Sequence, residues 1–369
     1  MNVQTLRSWE HIDELAQEWN SLLERSAAPS IFQTWEWINA WRLTGGKAAE
    51  PYVICVRDSN GSLVGLAPMY LGSMRLRGLF DFRVLRFLAD TDSGAEYPDW
   101  IVDTRYESQV ADRIALELRQ NSGEWSAIWL QWVATWSGAG KRIVEPAIGN
   151  GLSVRSRERL FSVIPLPDEI SAFDQRFSSK WRQKMRRTAR RLKADGLTCL
   201  ECTDATELPA FLDALMDLHQ QRWMSVGRDG VFVRKPAEAE FYRRFAPIAL
   251  DKGWLAIYAL IRDGEIKSVQ FGYRYAGAFL QMQEGYDPDD PSVGGNGLRH
   301  QVIEDCIHNG ITEYDFLGGT SEHKRRWRAE VRTGQDVFIF SRSWKARVLH
   351  LAGVWPTGRF IEQVGLSVE

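Results

Sequence analysis

The sequence predicts a mixed α+β protein of two domains, in which mainly antiparallel sheets are flanked by helices. Three observations support this fold class. The chain has 369 residues, more than a single domain usually contains. Turns of the type Asn-Gly at 60–61 and Asp-Gly at 263–264 each join two alternating segments, which is a strong hairpin signal. Segments with apolar residues at helical spacing stand between these groups of strands.

Composition and charge limit the class of protein. Apolar residues make up 44% of the chain and include 16 Trp, so a sizeable core is available. The formal net charge of −2 argues against a general nucleic-acid binder, so any basic binding surface must be local. The chain has only four cysteines, which suggests a reducing compartment. Cys199 and Cys202 form a single C-x-x-C pair. They are interpreted as packing residues of a half-buried strand, and no metal is expected.

Targeting signals are not found in the sequence. The first 18 residues are polar and amphipathic, unlike a signal peptide. No segment reaches the ~18 consecutive apolar residues that would suggest a membrane span. We therefore expect a cytoplasmic protein.

Residues 1–164 are expected to form the first domain. Apolar spacing predicts helices over 12–23 and 34–43, the second capped by Thr34. A hairpin over 52–71 follows, and Pro68 predicts that its second strand is an edge or bulged strand. Further strands are predicted over 84–88, 100–102, 125–133 and 152–157, with helices over 106–120 and 141–148.

Residues 165–369 are expected to form the second domain, which begins with a strongly basic helix. Residues 180–193 carry eight positive charges and no acidic residue, and apolar positions at helical spacing give the helix one buried face. Like charges at Arg182, Arg186 and Arg190 repel one another along the helix. An anionic acceptor or partner surface would relieve this repulsion. The alternative is a solvated helix paired with carboxylates elsewhere.

A glycine-rich loop follows three strands predicted over 254–262, 265–275 and 279–286. The loop, residues 294–297, precedes a helix over 298–309, a strand over 311–316 and a basic helix over 321–327. A helix that begins at such a loop presents free backbone N–H groups and the positive end of its dipole. This arrangement predicts a cradle for phosphate oxygens.

The order of these elements resembles the GNAT acyltransferase superfamily. More specifically, the chain resembles the CelD-like acetyltransferases of bacterial polysaccharide operons, which are related to the Fem aminoacyltransferases and have two GNAT-like domains. Four groups of residues carry this resemblance: 32–37 with Trp41, 181–187, 218–223, and 285–288 together with 314–319 and 324–327.

The resemblance implies direct transfer of an acyl group, for example from acetyl-CoA, to an amine. A splay between the strands that end near Tyr286 and Phe316 would admit the pantetheine and thioester. Ser292 stands where the family usually has Gln or Arg, so the phosphate contacts would be made mainly by the backbone. The residues that would bind the coenzyme A pyrophosphate are Gly294, Gly295, Asn296, Gly297 and Leu298.

Acyl transfer to an ammonium group needs a proton acceptor, and the leaving thiolate needs an acid or a cation. Asp287 and Asp315 stand at the ends of the strands expected to splay and are the first candidates for base or amine positioning. Glu284 is the alternative, because it shares a strand face with Tyr286, the candidate acid. Lys324 is expected to stabilise negative charge. The structural alternatives are that Asp287 opens a turn, Asp315 caps one, and Lys324 lies at a surface helix end.

Acceptor contacts are assigned to the basic helix and to two tryptophans. His219 is placed outside the core, because its helix face is polar, and His323 is interpreted as incidental. The residues expected to bind the acceptor are Arg182, Arg186, Arg187, Arg190, Trp223 and Trp327.

Three functions are compatible with these residues. The first is acyl-CoA-dependent N-acylation of an amino sugar or related amine, small or lipid-linked, in envelope or exopolysaccharide synthesis. The second is a Fem-type transferase that uses aminoacyl-tRNA, and the third is a non-catalytic module of a polysaccharide synthase complex. Residues 343–363 form an amphipathic tail that would either pack on its own domain or contact the inner membrane near a membrane-bound synthase.

Overall fold

The computed structural model describes residues 1–76, 80–290, 292–351 and 367–368. The chain divides into two compact units, one formed by residues 1–91, 95–160 and 333–369 and the other by 92–94 and 161–332. Each unit combines a mostly antiparallel sheet with helices, which confirms the predicted fold class. The division into domains at residues 164 and 165 stays a prediction.

The secondary-structure elements are numbered in chain order. The strands are β1 (Asn2–Leu6), β2 (Glu50–Arg57), β3 (Leu63–Leu76), β4 (Phe80–Phe87), β5 (Ile101–Val102), β6 (Ala127–Val133), β7 (Ser153–Pro165), β8 (Thr198–Glu201), β9 (Leu255–Arg262), β10 (Glu265–Tyr275), β11 (Ala278–Tyr286), β12 (Glu313–Gly318), β13 (Glu330–Phe340) and β14 (Ser367–Val368). The α-helices are α1 (Trp9–Asp13), α2 (Ala16–Glu24), α3 (Trp35–Arg42), α4 (Glu107–Gln120), α5 (Glu145–Gly149), α6 (Ile170–Gln175), α7 (Ser179–Ala194), α8 (Leu208–Met224), α9 (Val231–Arg234), α10 (Pro236–Asp251), α11 (Asn296–His308), α12 (Glu322–Arg326) and α13 (Trp344–Leu351).

The first unit has the strand order β1-β2-β3-β4-β6-β13. All neighbouring pairs are antiparallel except β4 and β6, and β5 and β14 also pair with β3. The hairpin predicted around the Asn60-Gly61 turn is confirmed as β2 and β3. The helix predicted over 12–23 is divided into α1 and α2, and β1 before it was not predicted.

Pro68 does not mark an edge strand, but a register shift in the pairing of β3 with β2, between Val56 and Arg57, agrees with the alternative of a bulged strand. Strand β3 is paired on both sides, with β2 on one and with β4 and β5 on the other. On this second side, the β5 ladder ends at Leu66 and the β4 ladder begins at Met69. Pro68 lies in the gap between the ladders and accepts a hydrogen bond from Leu88 N at 2.9 Å through its carbonyl. The missing N–H therefore costs the sheet no ladder bond.

The second unit is organised around the strand order β12-β11-β10-β9-β8, and the end of β7 pairs antiparallel with β12. The hairpin predicted around the Asp263-Gly264 turn is confirmed as β9 and β10. Its core includes Ile164, Phe279, Leu298, Val302 and Tyr314, all of which are buried. Strand β11, helix α11 and strand β12 are thereby fixed as one rigid group, which carries the glycine-rich loop.

The C-terminal helix was predicted to use an apolar stripe that includes Trp344, Val348 and Leu351. In α13 these side chains are exposed, and the buried residues are Ala346 and Leu349. The helix starts directly after β13, with Ser343 Oγ accepting a hydrogen bond from Ala346 N at 3.1 Å, and this start sets the buried face. The rest of the predicted tail, residues 352–363, lies outside the described residues, and its contact with a membrane stays a prediction.

Candidate active site

The sheet of the second unit opens between two parallel strands. Strands β11 and β12 pair only at three positions, which end at Leu280 opposite Asp315. Beyond them β11 continues to Tyr286 and β12 to Gly318, and the described part of the chain contains no further pair between the two strands. The predicted splay is therefore confirmed.

The glycine-rich loop lies at the start of α11, as the sequence predicted. Gly295 precedes the helix, and Arg299 N donates to its carbonyl at 3.2 Å. Trp327 Nε1 donates to the side-chain oxygen of Asn296 at 3.2 Å, which fixes the first residue of the helix. A Cβ at Gly297 would lie 2.8 Å from Leu192 Cδ1 in α7. The glycine thus allows α7 to pack directly against the loop.

A cavity of about 340 Å³ lies beside this loop. The loop, the end of β11, helix α7 and the start of α12 all contribute side chains to its walls. The lining residues are Lys184, Thr188, Arg191, Arg222, Glu284, Tyr286, Ser292, Gly294, Gly295, Asn296 and His323.

Glu284 is the centre of a charged cluster in the wall of this cavity. Its Oε2 is paired with the fully buried Arg299, and its Oε1 accepts from Arg222 Nη1 at 2.9 Å. Burial raises the pKa of the Glu284 carboxyl, but the charges of Arg299 and Arg222 outweigh this effect and hold the pKa below its ordinary value. At neutral pH the cluster therefore carries one carboxylate and two guanidinium charges.

His323 extends this cluster and is not incidental. Arg299 Nη1 lies 2.6 Å from His323 Nε2 and donates to it. Burial, followed by the charge of Arg299, lowers the pKa of His323 to about 4. The ring is therefore neutral at pH 7, with its proton on Nδ1.

Of the predicted catalytic residues, only Tyr286 lines the cavity. Its ring centroid lies 5.1 Å from the guanidinium carbon of Arg222. The Asp287 carboxylate accepts from Asp289 N at 3.0 Å and lies 3.9 Å from Lys267 Nζ, so it closes the turn after β11. The Asp315 carboxylate accepts from Leu317 N at 2.7 Å and supports the positive φ of that residue.

Lys324 is held by the backbone of β12 and the turn that follows. Its ammonium group donates to the carbonyls of Phe316, Gly318 and Gly319 at 3.0, 2.6 and 3.1 Å. These carbonyls satisfy the charge of Lys324 and fix the turn. Lys324 is not among the residues that line the cavity.

The basic helix exists as predicted, but its cations point in several directions. Among the four predicted arginines, Arg187 lines a cavity beside α7. Arg182 donates to the carbonyl of Phe177 at 2.8 Å, and Arg186 and Arg190 are exposed. The predicted apolar face is buried through Met185 and Leu192.

The two predicted tryptophan contacts are also separate from the cavity walls. Trp327 is only 2% exposed and belongs to the core, where it supports Asn296. Trp223 is half-buried near the end of α8, beside His219. His219 itself is buried, contrary to expectation. Its Nε2 accepts from Val231 N, so its Nδ1–H donates to the carbonyl of Glu284 at 3.0 Å.

Sequence reasoning missed Arg222, Arg299 and the role of His323. Glu284 was named only as an alternative, on the ground that it shares a strand face with Tyr286. Arg222 lies within the 218–223 group of residues, and Arg299 follows the glycine-rich loop by two residues. The presence of an arginine near each of these two features was the only sequence signal for the cluster. Their convergence on one carboxylate depends on tertiary contacts that have no local pattern.

Two further findings concern metals and membranes. Within the described ranges, no group of three or more His, Cys, Asp or Glu side chains is arranged to hold a metal ion. None of the helices in the described ranges is both long and apolar enough to span a bilayer.

The chain was compared with protein families, curated sequences and solved structures. Residues 179–325 match the family described as "Acetyltransferase (GNAT) domain". No curated protein sequence matches the chain. The fold is similar to the crystal structure of FemX, with a TM-score of 0.64, 10% identity, and coverage of 95% of this chain and 99% of that one.

Two other solved structures share the fold. A conserved protein of unknown function from Bacteroides thetaiotaomicron has a TM-score of 0.57 at 9% identity, covering 92% of this chain and 100% of that one. L-PGS from Bacillus licheniformis has a TM-score of 0.50 at 12% identity, covering 95% and 96%. The matched segment contains the glycine-rich loop and the splayed strands, so residues 179–325 are similar to a GNAT acetyltransferase domain.

Proposed function

We propose that the protein is an acyl-CoA-dependent N-acyltransferase that transfers an acetyl group to the amine of a sugar or a related envelope precursor. One observation carries this proposal. A single cavity joins the glycine-rich start of α11 to the charged cluster around Glu284, beside the opening between β11 and β12. Phosphate recognition and proton transfer would therefore occur at the two ends of one bound donor.

The residues present fit the phosphates of coenzyme A. The N-terminal N–H groups of α11 and the helix dipole favour an anion at Gly294, Gly295 and Asn296. Lys184 and Arg191 line the same cavity and add positive charge. Ser292 lies in the cavity wall, but its hydroxyl is engaged with Asp290, so the loop would bind phosphate mainly through its backbone and these two cations.

Acyl-CoA would supply a thioester carbonyl and a thiolate leaving group. The amine nitrogen would form a C–N bond at that carbonyl while the C–S bond breaks. Tyr286 lines the same cavity and would donate a proton to the thiolate. Glu284 remains ionised and lines the cavity, so it would accept the proton of the acceptor ammonium directly or through water.

Substitutions at Gly294 test donor binding, because a Cβ there would meet no atom within 4 Å. Gly294→Asp places a carboxylate beside the expected pyrophosphate, and we expect the Kd for acetyl-CoA to rise by about 10-fold or more. Gly294→Ala is the matched control, with a change of less than about 3-fold. Calorimetric titration measures both. Equal affinity of the two variants, or no saturable binding by the unmodified protein, would reject the proposal.

A Fem-type reaction with aminoacyl-tRNA is the second candidate. The similarity to FemX over 95% of this chain and the exposed cations of α7 support it. In that reaction the cations would meet RNA phosphates. Transfer assays with acetyl-CoA and with aminoacyl-tRNA, each offered with the same panel of UDP-amino sugars, separate the two functions.

A further inference from the structure

A second cavity continues from the candidate active site along the basic helix. It has a volume of about 630 Å³. Lys184, Thr188 and Arg191 line both cavities, so the two form one cleft with these residues at the junction. Glu284 and Tyr286 line only the first cavity, whereas Trp181 and Arg187 line only the second. The cleft therefore has a reacting end and a distal end.

The distal end is lined by a regular row of cations. Lys180, Lys184, Arg187 and Arg191 lie at helical positions i, i+4, i+7 and i+11, and all four line the second cavity. With a rise of about 1.5 Å per residue, the part of this row from Lys184 to Arg191 is roughly 10 Å long. We call these four residues the cleft-facing row.

The charges of this row are largely uncompensated by protein. Arg191 lies 3.3 Å from the Asp195 carboxylate. For the other three cations, no carboxylate of the described residues lies within ion-pair distance. Neighbouring like charges on a helix oppose one another, so an anion in the cleft would relieve the repulsion.

Trp181 supplies an aromatic surface in the same cavity. Its ring stacks on Phe177 with centroids 3.7 Å apart, and Trp327 contacts it edge-on at 5.5 Å. These contacts hold the ring rigidly, and the half-buried side chain still lines the cavity. A fixed indole beside several cations fits a ligand that carries both a base and a phosphate.

Coenzyme A has such a group at one end. If its pyrophosphate binds at the glycine loop and its thioester at Glu284 and Tyr286, then the nucleoside must leave the junction in the opposite direction. That direction leads to Trp181 and the cleft-facing row. We propose that the second cavity binds the 3′-phosphoadenosine of the acyl-CoA donor, with Lys180 and Arg187 of the row holding the 3′-phosphate and Trp181 contacting the adenine. This inference rests on the proposed function.

The assignment differs from the sequence-based expectation that the basic helix binds the acceptor. An acceptor placed on the cleft-facing row would be separated from Glu284 by the donor phosphates at the junction. The row therefore serves the donor, and the acceptor amine must approach the reacting end by another route.

The test compares coenzyme A with 3′-dephospho-coenzyme A, which lacks only the phosphate in question. Calorimetry would measure both affinities for the unmodified protein, for Lys180→Ala/Arg187→Ala, and for Arg186→Ala/Arg190→Ala. Lys180 and Arg187 line only the second cavity, while Arg186 and Arg190 are exposed on the same helix and line neither. The second pair thus removes equal charge from α7 outside the cleft.

We expect the unmodified protein to bind coenzyme A about 10-fold more tightly than the dephospho form, since one phosphate with charge-assisted contacts is removed. The Lys180→Ala/Arg187→Ala variant should lose this preference by weaker binding of coenzyme A alone. The Arg186→Ala/Arg190→Ala variant should keep it. Circular dichroism confirms that each variant is folded.

Several results would overturn the inference. Equal affinity of the unmodified protein for both nucleotides would do so, as would a preference that survives in the Lys180→Ala/Arg187→Ala variant or disappears equally in both variants. If coenzyme A binds and acetyl-CoA is turned over in these cases, the proposed function stands and only the distal site is rejected. If neither nucleotide binds saturably, the proposed function fails as well.

Discussion

Two arginines pair with the carboxylate of Glu284, one at each oxygen, in the unit that contains the candidate active site. Arg299 is fully buried, and Arg222 reaches the same carboxylate from α8. Removing one partner of a buried charge pair leaves the other desolvated and unpaired, and that costs more than the pair itself contributes. Glu284 thus stabilises the packing near the cavity and, under the proposed function, also supplies the proton acceptor for the amine.

Glu284→Gln should therefore affect stability and activity together. Gln keeps an acceptor for Arg299 but loses the charge, so we expect the unfolding free energy to fall by about 1–3 kcal/mol. We also expect kcat to fall by about 100-fold or more, because the ammonium loses its proton acceptor. Urea unfolding and steady-state kinetics measure the two effects.

Glu322→Gln is the control for this change. Glu322 pairs with Arg325 and Arg326 on the exposed surface of α12, where its side chain is 63% exposed. Its substitution should leave the unfolding free energy almost unchanged, because exposed ion pairs contribute little. If Glu284→Gln had the same small effect as this control, the proposed role of the cluster would be wrong.

His323 makes stability depend on pH in a defined direction. Its pKa in the folded state is about 4, against an ordinary value of 6.5, so between these values the unfolded chain binds the proton and the folded chain does not. The unfolding free energy should then be constant above about pH 6.5 and fall towards pH 4, by up to ~1.4 kcal/mol per pH unit from this group.

His323→Asn should reduce that slope. Unfolding curves at pH 7, 6 and 5 measure it, and His308→Asn, at an exposed position of α11, is the matched control and should retain the slope. The burial of His219 also lowers its pKa, and this contribution is present in every variant compared. An unchanged slope in His323→Asn would show that the ring is not buried neutral beside Arg299.

The site was predictable from sequence only in part, and the reason lies in these residues. Alternation along a strand correctly placed Glu284 and Tyr286 on one face. Asp287 and Asp315 were predicted to be catalytic because they stand at strand ends. Their carboxylates instead accept hydrogen bonds from backbone N–H groups two residues further along the chain. Asp and Asn side chains often make such local bonds, which compete with a functional role.

At the scale of the elements, the site depends on the close approach of α8 and β11. A Cβ at Gly285 would lie 2.6 Å from His219 N and 2.9 Å from the carbonyl carbon of Leu218, both backbone atoms of α8. Backbone cannot move aside as a side-chain end can, so any larger residue must separate the helix from the strand. The same contact holds Arg222 against Glu284.

Gly285→Ala is therefore expected to destabilise the protein by about 1–3 kcal/mol and to lower kcat through displacement of Arg222. Chemical denaturation and kinetics measure these effects. Gly294→Ala is the matched control because its Cβ would have open space. A Gly285→Ala variant as stable and active as Gly294→Ala would contradict the packing argument.

Elements with strong local signals were predicted well. The two hairpins, α7 and α11 follow from turn chemistry, charge and apolar spacing. The cations of α7 that line the cleft were not predictable, because cations surround its apolar face and only the contacts with α11 decide which of them line the cavity. The edge-strand alternative for Pro68 was wrong, because the position of Pro68 between two ladders depends on where β4 and β5 end.

At the scale of the whole molecule, charge is unevenly distributed. The chain has a net charge of −2, yet residues 180–193 carry eight positive charges. This local concentration of charge fits the phosphates of either a nucleotide donor or an RNA. Fold alone does not separate these two donors, because one fold can carry several reactions.

Salt dependence does separate them. A protein that neutralises phosphates of a polynucleotide releases condensed counterions, and its affinity falls with a log–log slope of about −0.7 to −0.9 per phosphate. Five such contacts would weaken tRNA binding by roughly 100-fold between about 50 and 200 mM salt. Coenzyme A carries no condensed counterion layer, so screening alone should weaken its binding by less than about 10-fold over the same range.

We therefore expect acetyl-CoA binding and turnover to persist at about 200 mM KCl, where non-specific tRNA binding to α7 is largely lost. Calorimetry with acetyl-CoA and filter binding with deacylated and aminoacylated tRNA provide the comparison. The exposed pair Arg186→Ala/Arg190→Ala should lower the tRNA slope and leave acetyl-CoA binding unchanged. Aminoacyl-tRNA that binds tightly at this salt concentration and supports transfer, with acetyl-CoA inactive, would instead assign the protein to the Fem-type reaction.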